Sequence, residues 1–202
     1  MKLDYFQTGH KVFTIKEHIL LLSGHSLVKT GNSPFKKFQH PSHNICMFDS
    51  ANCQWSNLYL SVEDEGLMKR TNFGACKANF NTLFICGGMQ KVIDESQLET
   101  LSVFSLVKVT IVETQTGYHT MVDKIQIFSE IDNLVLSSFS LTMRRNTLFI
   151  SGGNTGDKIK ELKNSFKKNH DLILIDHSNN SSKIVSPPDL LKGNFIFNIK
   201  QI

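Results

Sequence analysis

A near-identical octapeptide occurs twice in this chain and constrains its fold more than any other feature. Residues 81–88 read NTLFICGG and residues 146–153 read NTLFISGG, a spacing of 65 residues. A shorter copy, HILLLSG, ends at Gly24, which lies 64 residues before Gly88. Self-similarity at a fixed period of this kind is typical of repeat architectures. We therefore interpret the chain as three copies of one structural unit.

A second landmark recurs with nearly the same period. Apolar runs end at Asp49, Glu113 and Asp176, at intervals of 64 and 63 residues. These acids could form a ring of carboxylates with a functional role. An acid at the end of a strand more commonly accepts hydrogen bonds from nearby backbone N–H groups in a turn. We therefore predict a structural role in the turns for all three acids.

The polarity pattern predicts four strands in each repeat. Segments 8–15, 72–79 and 137–144 alternate in polarity, which indicates strands. Each leads through a short turn into the apolar run of the octapeptide, then through a long loop into the acid-ended run and a fourth strand. The predicted fourth strands lie near residues 55–60, 120–128 and 183–186. The side chains expected in the core are Leu20, Leu21, Phe84, Ile85, Phe149 and Ile150.

Glycines mark the end of the second strand in every repeat. A glycine at a strand end permits a positive φ and a close approach of neighbouring backbone. Four antiparallel strands per repeat describe a propeller blade. The structural positions of the predicted repeat are Gly24, Gly87, Gly88, Gly152, Gly153, Asp49, Glu113, Asp176 and Trp55.

These residues resemble the Kelch repeat. In that family a Gly-His-like dipeptide precedes a strand that ends in Gly-Gly, and an acid-ended strand is followed about six residues later by Trp. Gly9-His10, Asp49 and Trp55 fit this pattern, as does Arg70, which precedes Phe73-Gly74. The pattern is degenerate, because the Trp position holds His119 and Ser182 in the later repeats and Ser23 replaces the first glycine of the first repeat.

The resemblance implies an all-β, Kelch-like β-propeller with about three four-stranded blades. We expect a single region over 1–202, with repeats at approximately 6–62, 70–129 and 135–188 and an extra strand at 194–202. Propellers close with roughly four to eight blades, so the ring is expected to be incomplete or completed by a partner. Either the chain belongs to a longer protein or a second chain supplies the missing blades.

Motifs for catalysis or cofactor binding are absent from the sequence. It has no G-x-S-x-G, H-E-x-x-H, G-x-x-x-x-G-K-[ST] or G-x-G-x-x-G. His40, His43, Cys46 and Cys53 have a spacing that could bind zinc, but the strand and turn positions of the two cysteines favour ordinary structural residues. We therefore expect no catalytic residue, no cofactor and no metal. Cys76 and Cys86 are expected to be buried and inert.

The loops between the second and third strands are candidates for partner binding. The first loop carries Phe35, Lys36 and Lys37, and the third carries Phe166, Lys167 and Lys168. The loop of the middle repeat is acidic instead, with Asp94, Glu95 and Glu99. Equivalent loops should emerge on one face of a propeller, and long loops on a rigid scaffold often carry function. A solvated, lysine-rich loop without a partner is the alternative.

The resemblance to Kelch repeats implies a non-catalytic scaffold or adaptor that binds other proteins. The alternative is an accessory Kelch domain of a larger enzyme or nucleic-acid-processing complex, of the RNA-modifying methyltransferase or DNA recombinase type. The net charge of +4 is too small to indicate nucleic acid by itself. No apolar run is long enough for a signal sequence or a membrane span, so we expect a cytoplasmic or nuclear protein without a membrane partner.

Overall fold

The computed structural model describes residues 6–28, 37–91, 98–115, 117–127, 134–155, 167–168 and 171–185. The strands in these residues are β1 (Phe6–Thr8), β2 (Lys11–Ile15), β3 (His18–Val28), β4 (Lys37–Asp49), β5 (Gln54–Leu58), β6 (Gly74–Lys77), β7 (Thr82–Cys86), β8 (Met89–Lys91), β9 (Leu98–Thr100), β10 (Ser105–Thr114), β11 (Gly117–Gln126), β12 (Leu136–Ser137), β13 (Ser140–Arg144), β14 (Thr147–Ser151), β15 (Asn154–Thr155), β16 (Lys167–Lys168), β17 (Leu172–Asp176) and β18 (Ser181–Val185). The helix is α1 (Val62–Met68).

Three antiparallel sheets of four strands form the body of the fold. Sheet 1 has the order β2-β3-β4-β5, sheet 2 the order β6-β7-β10-β11, and sheet 3 the order β13-β14-β17-β18. Each sheet is made by one repeat. The prediction of an all-β fold with four antiparallel strands per repeat is therefore confirmed. The three sheets do not close into a ring within the described residues.

The sheets stack face to face in chain order. We call the face that points to the following sheet the forward face, and the face that points to the preceding sheet the rear face. Leu20 and Leu22 on the forward face of sheet 1 pack with Leu83 and Ile85 on the rear face of sheet 2. This first core holds sheets 1 and 2 together through apolar burial.

A second core joins sheets 2 and 3 in the same way. Phe84 and Cys86 on the forward face of sheet 2 pack with Leu148 and Ile150 on the rear face of sheet 3. All five residues of β7 are buried because both faces of sheet 2 are covered. This arrangement explains why the octapeptide is continuously apolar rather than alternating.

The core prediction is correct for five of its six residues. Leu20, Leu21, Phe84, Ile85 and Ile150 are buried. Phe149 is half-buried, so it is less covered than the other five. The reason is its place on the forward face of sheet 3, which no described sheet follows.

A left-handed residue precedes the first strand of each sheet by two positions. Gly9, Asn72 and Ser138 have φ angles of 68°, 53° and 56°. The Asn72 N–H donates to the Gly9 carbonyl over 3.3 Å, and the Ser138 N–H donates to the Asn72 carbonyl over 2.7 Å. These bonds tie the three repeats together in sequence order. Only the first position is a glycine, so the pattern was not evident from the residues alone.

Helix α1 connects sheet 1 to sheet 2 along the chain, and the sequence analysis did not predict it. The Ser61 hydroxyl accepts a hydrogen bond from the Asp64 N–H over 3.2 Å, which caps the helix N-terminus. The Ser-x-x-Asp spacing is a recognisable start signal related to the capping box. Met68 at its end is fully buried in the first core. No helix in the described part of the chain has the length and apolar character needed to cross a membrane.

Candidate functional site

Left-handed glycine follows β7 and β14 directly, and in the first repeat it lies within β3 at Gly24, where the pairing with β4 shifts register. Gly24, Gly88 and Gly153 have φ angles of 109°, 91° and 93°. Gly87 and Gly152, which precede the last two, have φ angles of 56° and 69°. Side chains other than glycine rarely adopt these angles. The chain therefore changes direction at the same point in each repeat.

Beyond these glycines each repeat forms a short antiparallel ribbon. Ribbon 1 is the outer part of the β3 and β4 pair, ribbon 2 is the β8 and β9 pair, and ribbon 3 is the β15 and β16 pair. The last described pairs before the ribbon tips are Val28 with Lys37, Lys91 with Leu98, and Thr155 with Lys167. The long loops that the sequence predicted between the second and third strands thus begin as paired strands.

The segment before each sheet adds a further pairing at the root of its ribbon. Strand β1 pairs with β3, Thr71 bridges Met89, and β12 pairs with β15. Each ribbon is therefore anchored to its own repeat at an equivalent place.

Hydrogen bonds between repeats hold the three ribbon roots at the same end of the stack. The Gly24 N–H donates to the Arg70 carbonyl over 3.4 Å. The Gly88 N–H donates to the Leu136 carbonyl over 2.9 Å. Each bond links the second strand of one repeat to the segment that precedes the next sheet. Strand β4 also contacts β8, so the first two ribbons are neighbours.

Three of the six residues predicted to bind a partner lie in these ribbons. Lys37 begins β4, and Lys167 and Lys168 form β16. Phe35, Lys36 and Phe166 lie outside the described residues. Glu99 of the acidic middle loop lies in β9, while Asp94 and Glu95 also lie outside them. Along the chain, two lysine-bearing ribbons therefore flank a ribbon whose described strands carry one acid, Glu99, and one lysine, Lys91.

Two of the three recurring acids cap turns at the opposite ends of their sheets. Asp49 accepts hydrogen bonds from the Ala51 N–H and the Asn52 amide, at 2.9 and 2.6 Å. Asp176 accepts from the Ser178 hydroxyl at 2.6 Å and from its N–H at 3.0 Å. The Asn52 amide and the Ser178 hydroxyl, respectively, are the main reasons that the pKa values of these carboxyl groups lie below their usual range.

The third acid, Glu113, does not occupy the equivalent position in the structure. Met47 pairs with Leu20, whereas Lys108 pairs with Phe84, the residue equivalent to Leu20. The pairing makes Thr110 the counterpart of Asp49. Glu113 therefore lies three residues further along and on the rear face, so the regular spacing of the three acids does not reflect one structural position.

The turn before β7 and the far end of β10 are both longer in the middle repeat than in the other two. Residues 78–81 separate β6 from β7, whereas two residues separate the corresponding strands in the other sheets. The Asn81 carbonyl accepts a hydrogen bond from the Ile111 N–H over 2.9 Å. Strand β10 extends past the end of β7 and carries Glu113 toward sheet 1.

Glu113 instead joins a polar cluster at the seam between sheets 1 and 2. Its carboxylate forms an ion pair and hydrogen bond with Lys16 of the first repeat. This contact lowers the pKa of Glu113 and raises that of Lys16. The buried His18 ring lies beside Tyr118, with Nε2 3.2 Å from the phenolic oxygen. The sequence reasoning missed this cluster because its members come from different repeats.

The same seam contains a small cavity of about 140 Å³. Its lining is mixed in character, with Lys16, Glu113 and Tyr118 beside apolar side chains from both sheets. The Lys77 ammonium group also crosses the seam, donating to the Thr14 carbonyl over 2.7 Å. These contacts join sheets 1 and 2.

Arg70 is a buried cation at the root of ribbon 2, and it is only 2% exposed. Its guanidinium donates to the carbonyls of Leu67, Gly87 and Ser105, at 2.8, 3.3 and 3.4 Å. Burial lowers the pKa of Arg70 to about 10. The side chain thus joins the end of α1, the glycine pair and β10. The sequence pattern marked this residue only through its place before Phe73-Gly74.

Cys46, Cys53 and Trp55 all belong to sheet 1 or its turns. Cys46 is buried and donates to the Asn57 amide oxygen over 3.1 Å, whereas Cys53 is exposed in a turn. No group of three metal-ligating side chains occurs among the residues that the structure describes. Trp55 packs against Phe48 on the rear face of sheet 1, with ring centroids 5.2 Å apart.

Comparison with protein-family models and with curated proteins gives no match for this chain. The similarity to Kelch repeats therefore rests on the residues quoted from its sequence.

Proposed function

We propose that this chain is a non-catalytic scaffold that binds other proteins and is built as a Kelch-like β-propeller of about three blades. The stacking of three equivalent sheets supports the propeller. Each sheet begins after a left-handed residue and turns at left-handed glycine at the end of its second strand. Successive sheets also present their faces in the same sense. This regular stacking is how propeller blades bury their faces.

The single observation that carries the binding role is the common origin of the three ribbons. They leave the sheets at equivalent glycines and are tied together at their roots by backbone hydrogen bonds. Their paired strands therefore leave one end of the stacked sheets. Loops carried by a rigid scaffold are well suited to recognition.

The residue types on the ribbons favour a protein partner with an acidic surface. Each of the first and third ribbon segments combines one phenylalanine with two adjacent lysines. An aromatic anchor surrounded by positive charge suits an apolar contact with an acidic rim on the partner. The acids of the middle ribbon would reject partners that are uniformly acidic, which includes extended nucleic acid.

Charge reversal on the ribbons tests this function. The test variant carries Lys36→Glu, Lys37→Glu, Lys167→Glu and Lys168→Glu. Proximity labelling in cells with the native chain would identify neighbouring proteins, and the purified partners would be titrated against both proteins. We expect binding to the test variant to be weaker by at least about tenfold, since several charged contacts reverse sign.

A matched control separates the ribbons from a general effect of charge. Exposed Lys124 lies on β11, and exposed Arg145 lies in the turn between β13 and β14; both are away from the ribbons. The Lys124→Glu, Arg145→Glu variant should keep the affinity of the native chain. Equal loss in both variants, or loss of nucleic-acid binding with no loss of protein binding, would contradict the proposal.

A further inference from the structure

The two outer faces of the described sheet stack carry the same positions that pack between sheets inside it. Leu20 and Phe84 point forward and are covered by the next sheet, and Phe149 is their counterpart in sheet 3. Ile85 and Ile150 point to the rear and are covered by the preceding sheet. The forward face of sheet 3 thus resembles the forward faces of sheets 1 and 2, and each of those packs against the rear face of the next sheet.

The glycine pairs show the same difference between covered and end positions. A Cβ placed on Gly87 would lie 2.8 Å from the Phe139 ring and 2.9 Å from the Leu136 carbonyl, both in the next repeat. A Cβ placed on Gly152, its counterpart, would meet no atom of the described residues within 4 Å. No described residue therefore takes, at sheet 3, the place that Phe139 and Leu136 take at sheet 2.

The rear face of sheet 1 is the complementary end. Its Leu21 corresponds to Ile85 and Ile150, the residues that cover the forward faces of sheets 1 and 2. Leu21 is buried, while Val12 and Ile19 beside it are 52% and 37% exposed. These two exposed aliphatic side chains form the accessible apolar rim of that face.

From this continuity with the buried interfaces, we propose that a second copy of the chain binds head to tail, placing the forward face of sheet 3 against the rear face of its sheet 1. The inference rests on the propeller in the proposed function. Three sheets are fewer than the roughly four needed to close a ring, whereas two copies bring together six sheets, within the usual range. Two equivalent contacts then close the assembly.

The equivalence also identifies individual contacts across the new interface. Within the chain, the Gly88 N–H donates to the Leu136 carbonyl. Gly153 corresponds to Gly88 and Gln7 to Leu136, so the Gly153 N–H of one copy should donate to the Gln7 carbonyl of the other. Phe139 lies over Gly87, and its counterpart in the first repeat is His10. The second copy therefore places an imidazole ring beside Gly152, where sheet 2 receives a phenyl ring.

Sedimentation velocity on the full chain at micromolar concentration tests the assembly. The native chain should have twice the monomer mass of 22.9 kDa. Leu174→Lys on the forward face of sheet 3 and Val12→Lys on the rear face of sheet 1 should each weaken the dimer more than about 100-fold, because each buries a charge without a partner. Met121→Lys, at an exposed apolar residue on the middle sheet, should leave the dimer intact.

Mixing the two interface variants separates this arrangement from other dimers. A dimer with one Leu174→Lys chain and one Val12→Lys chain keeps one of its two contacts intact. The mixture should therefore form dimers at concentrations where each variant alone is monomeric. A dimer made by two copies of the same face would gain nothing from mixing, because its symmetry places the same surface on both sides.

A native monomer, or a dimer unaffected by both interface variants, would overturn the inference. Open-ended polymers of the native chain would overturn it as well, since they mean that two copies do not close. Circular dichroism of each variant checks that it is folded. The lysine reversals on the ribbons should not alter the mass, so a failure of the scaffold function and a failure of this assembly give different results.

Discussion

Phe84 and Phe149 occupy the same position in two successive repeats, yet Phe84 is 2% exposed and Phe149 is only half-buried. The difference comes from the next sheet, which covers Phe84 together with Leu148 and Ile150 in the second core. No described sheet follows Phe149. The same local sequence therefore buries more apolar surface in the second repeat than in the third.

Alanine at these two phenylalanines should have unequal effects. We expect Phe84→Ala to cost about 3–5 kcal/mol, because it leaves a cavity in a packed core. Phe149→Ala should cost less than about half as much in the same chain. Urea unfolding in a Val12→Lys background, where the proposed dimer is absent, measures both values. Equal costs would mean that other parts of the chain cover the forward face of sheet 3.

Alanine at two glycines should change stability in opposite directions. Gly88 has a φ of 91°, and a Cβ there would lie 2.7 Å from the Thr71 carbonyl and 2.9 Å from the Phe73 Cα. Gly88→Ala should therefore cost more than about 2 kcal/mol. Gly66 is exposed inside α1 and has no atom within 4 Å of a Cβ. Gly66→Ala should stabilise by about 0.5–1 kcal/mol. Thermal unfolding of both variants decides the matter.

Acid should remove the stability that the turn carboxylates contribute. The pKa values of Asp49 and Asp176 are lowered in the folded chain, mainly by hydrogen bonds from Asn52 and Ser178. A lowered pKa contributes stability that is complete above the unfolded value and is lost as the pH falls through the folded one. Unfolding midpoints of the native chain and an Asp49→Asn, Asp176→Asn variant should therefore differ at pH 7 and converge below about pH 4. A difference between the two unfolding midpoints that is the same at both pH values would contradict this role.

The four cysteines should differ sharply in their reactivity. Cys53 is exposed, whereas Cys46, Cys76 and Cys86 are buried. Burial raises the pKa of all three buried thiols, that of Cys76 to about 12. Since the thiolate is the reactive form, iodoacetamide should label one cysteine per folded chain near pH 7.5 and four after unfolding in guanidinium. Mass spectrometry of Cys53→Ser should show almost no labelling of the folded chain. Rapid labelling of Cys86 would contradict the packing of the second core.

The sequence by itself determined the secondary structure of each repeat. Alternating polarity, the apolar octapeptide and the terminal glycines are local properties, and they predicted four antiparallel strands per repeat and the turn at Gly88. Side chains alternate between the two faces of a strand, and glycine permits a positive φ at its end. Both properties depend only on residues close together in the chain. The cap at Ser61 was equally local, and a search for capping signals would have found α1.

Only the tertiary structure decided how the repeats relate to one another. The spacing of Asp49 and Glu113 suggested one shared position, but β10 pairs with β7 in a different register from β4 with β3, and Glu113 contacts Lys16 of another repeat. The burial of Phe84 and the partial exposure of Phe149 likewise depend on whether a further sheet is present. Contacts between distant segments set register and coverage, and a repeated local pattern contains no information about which faces another sheet covers.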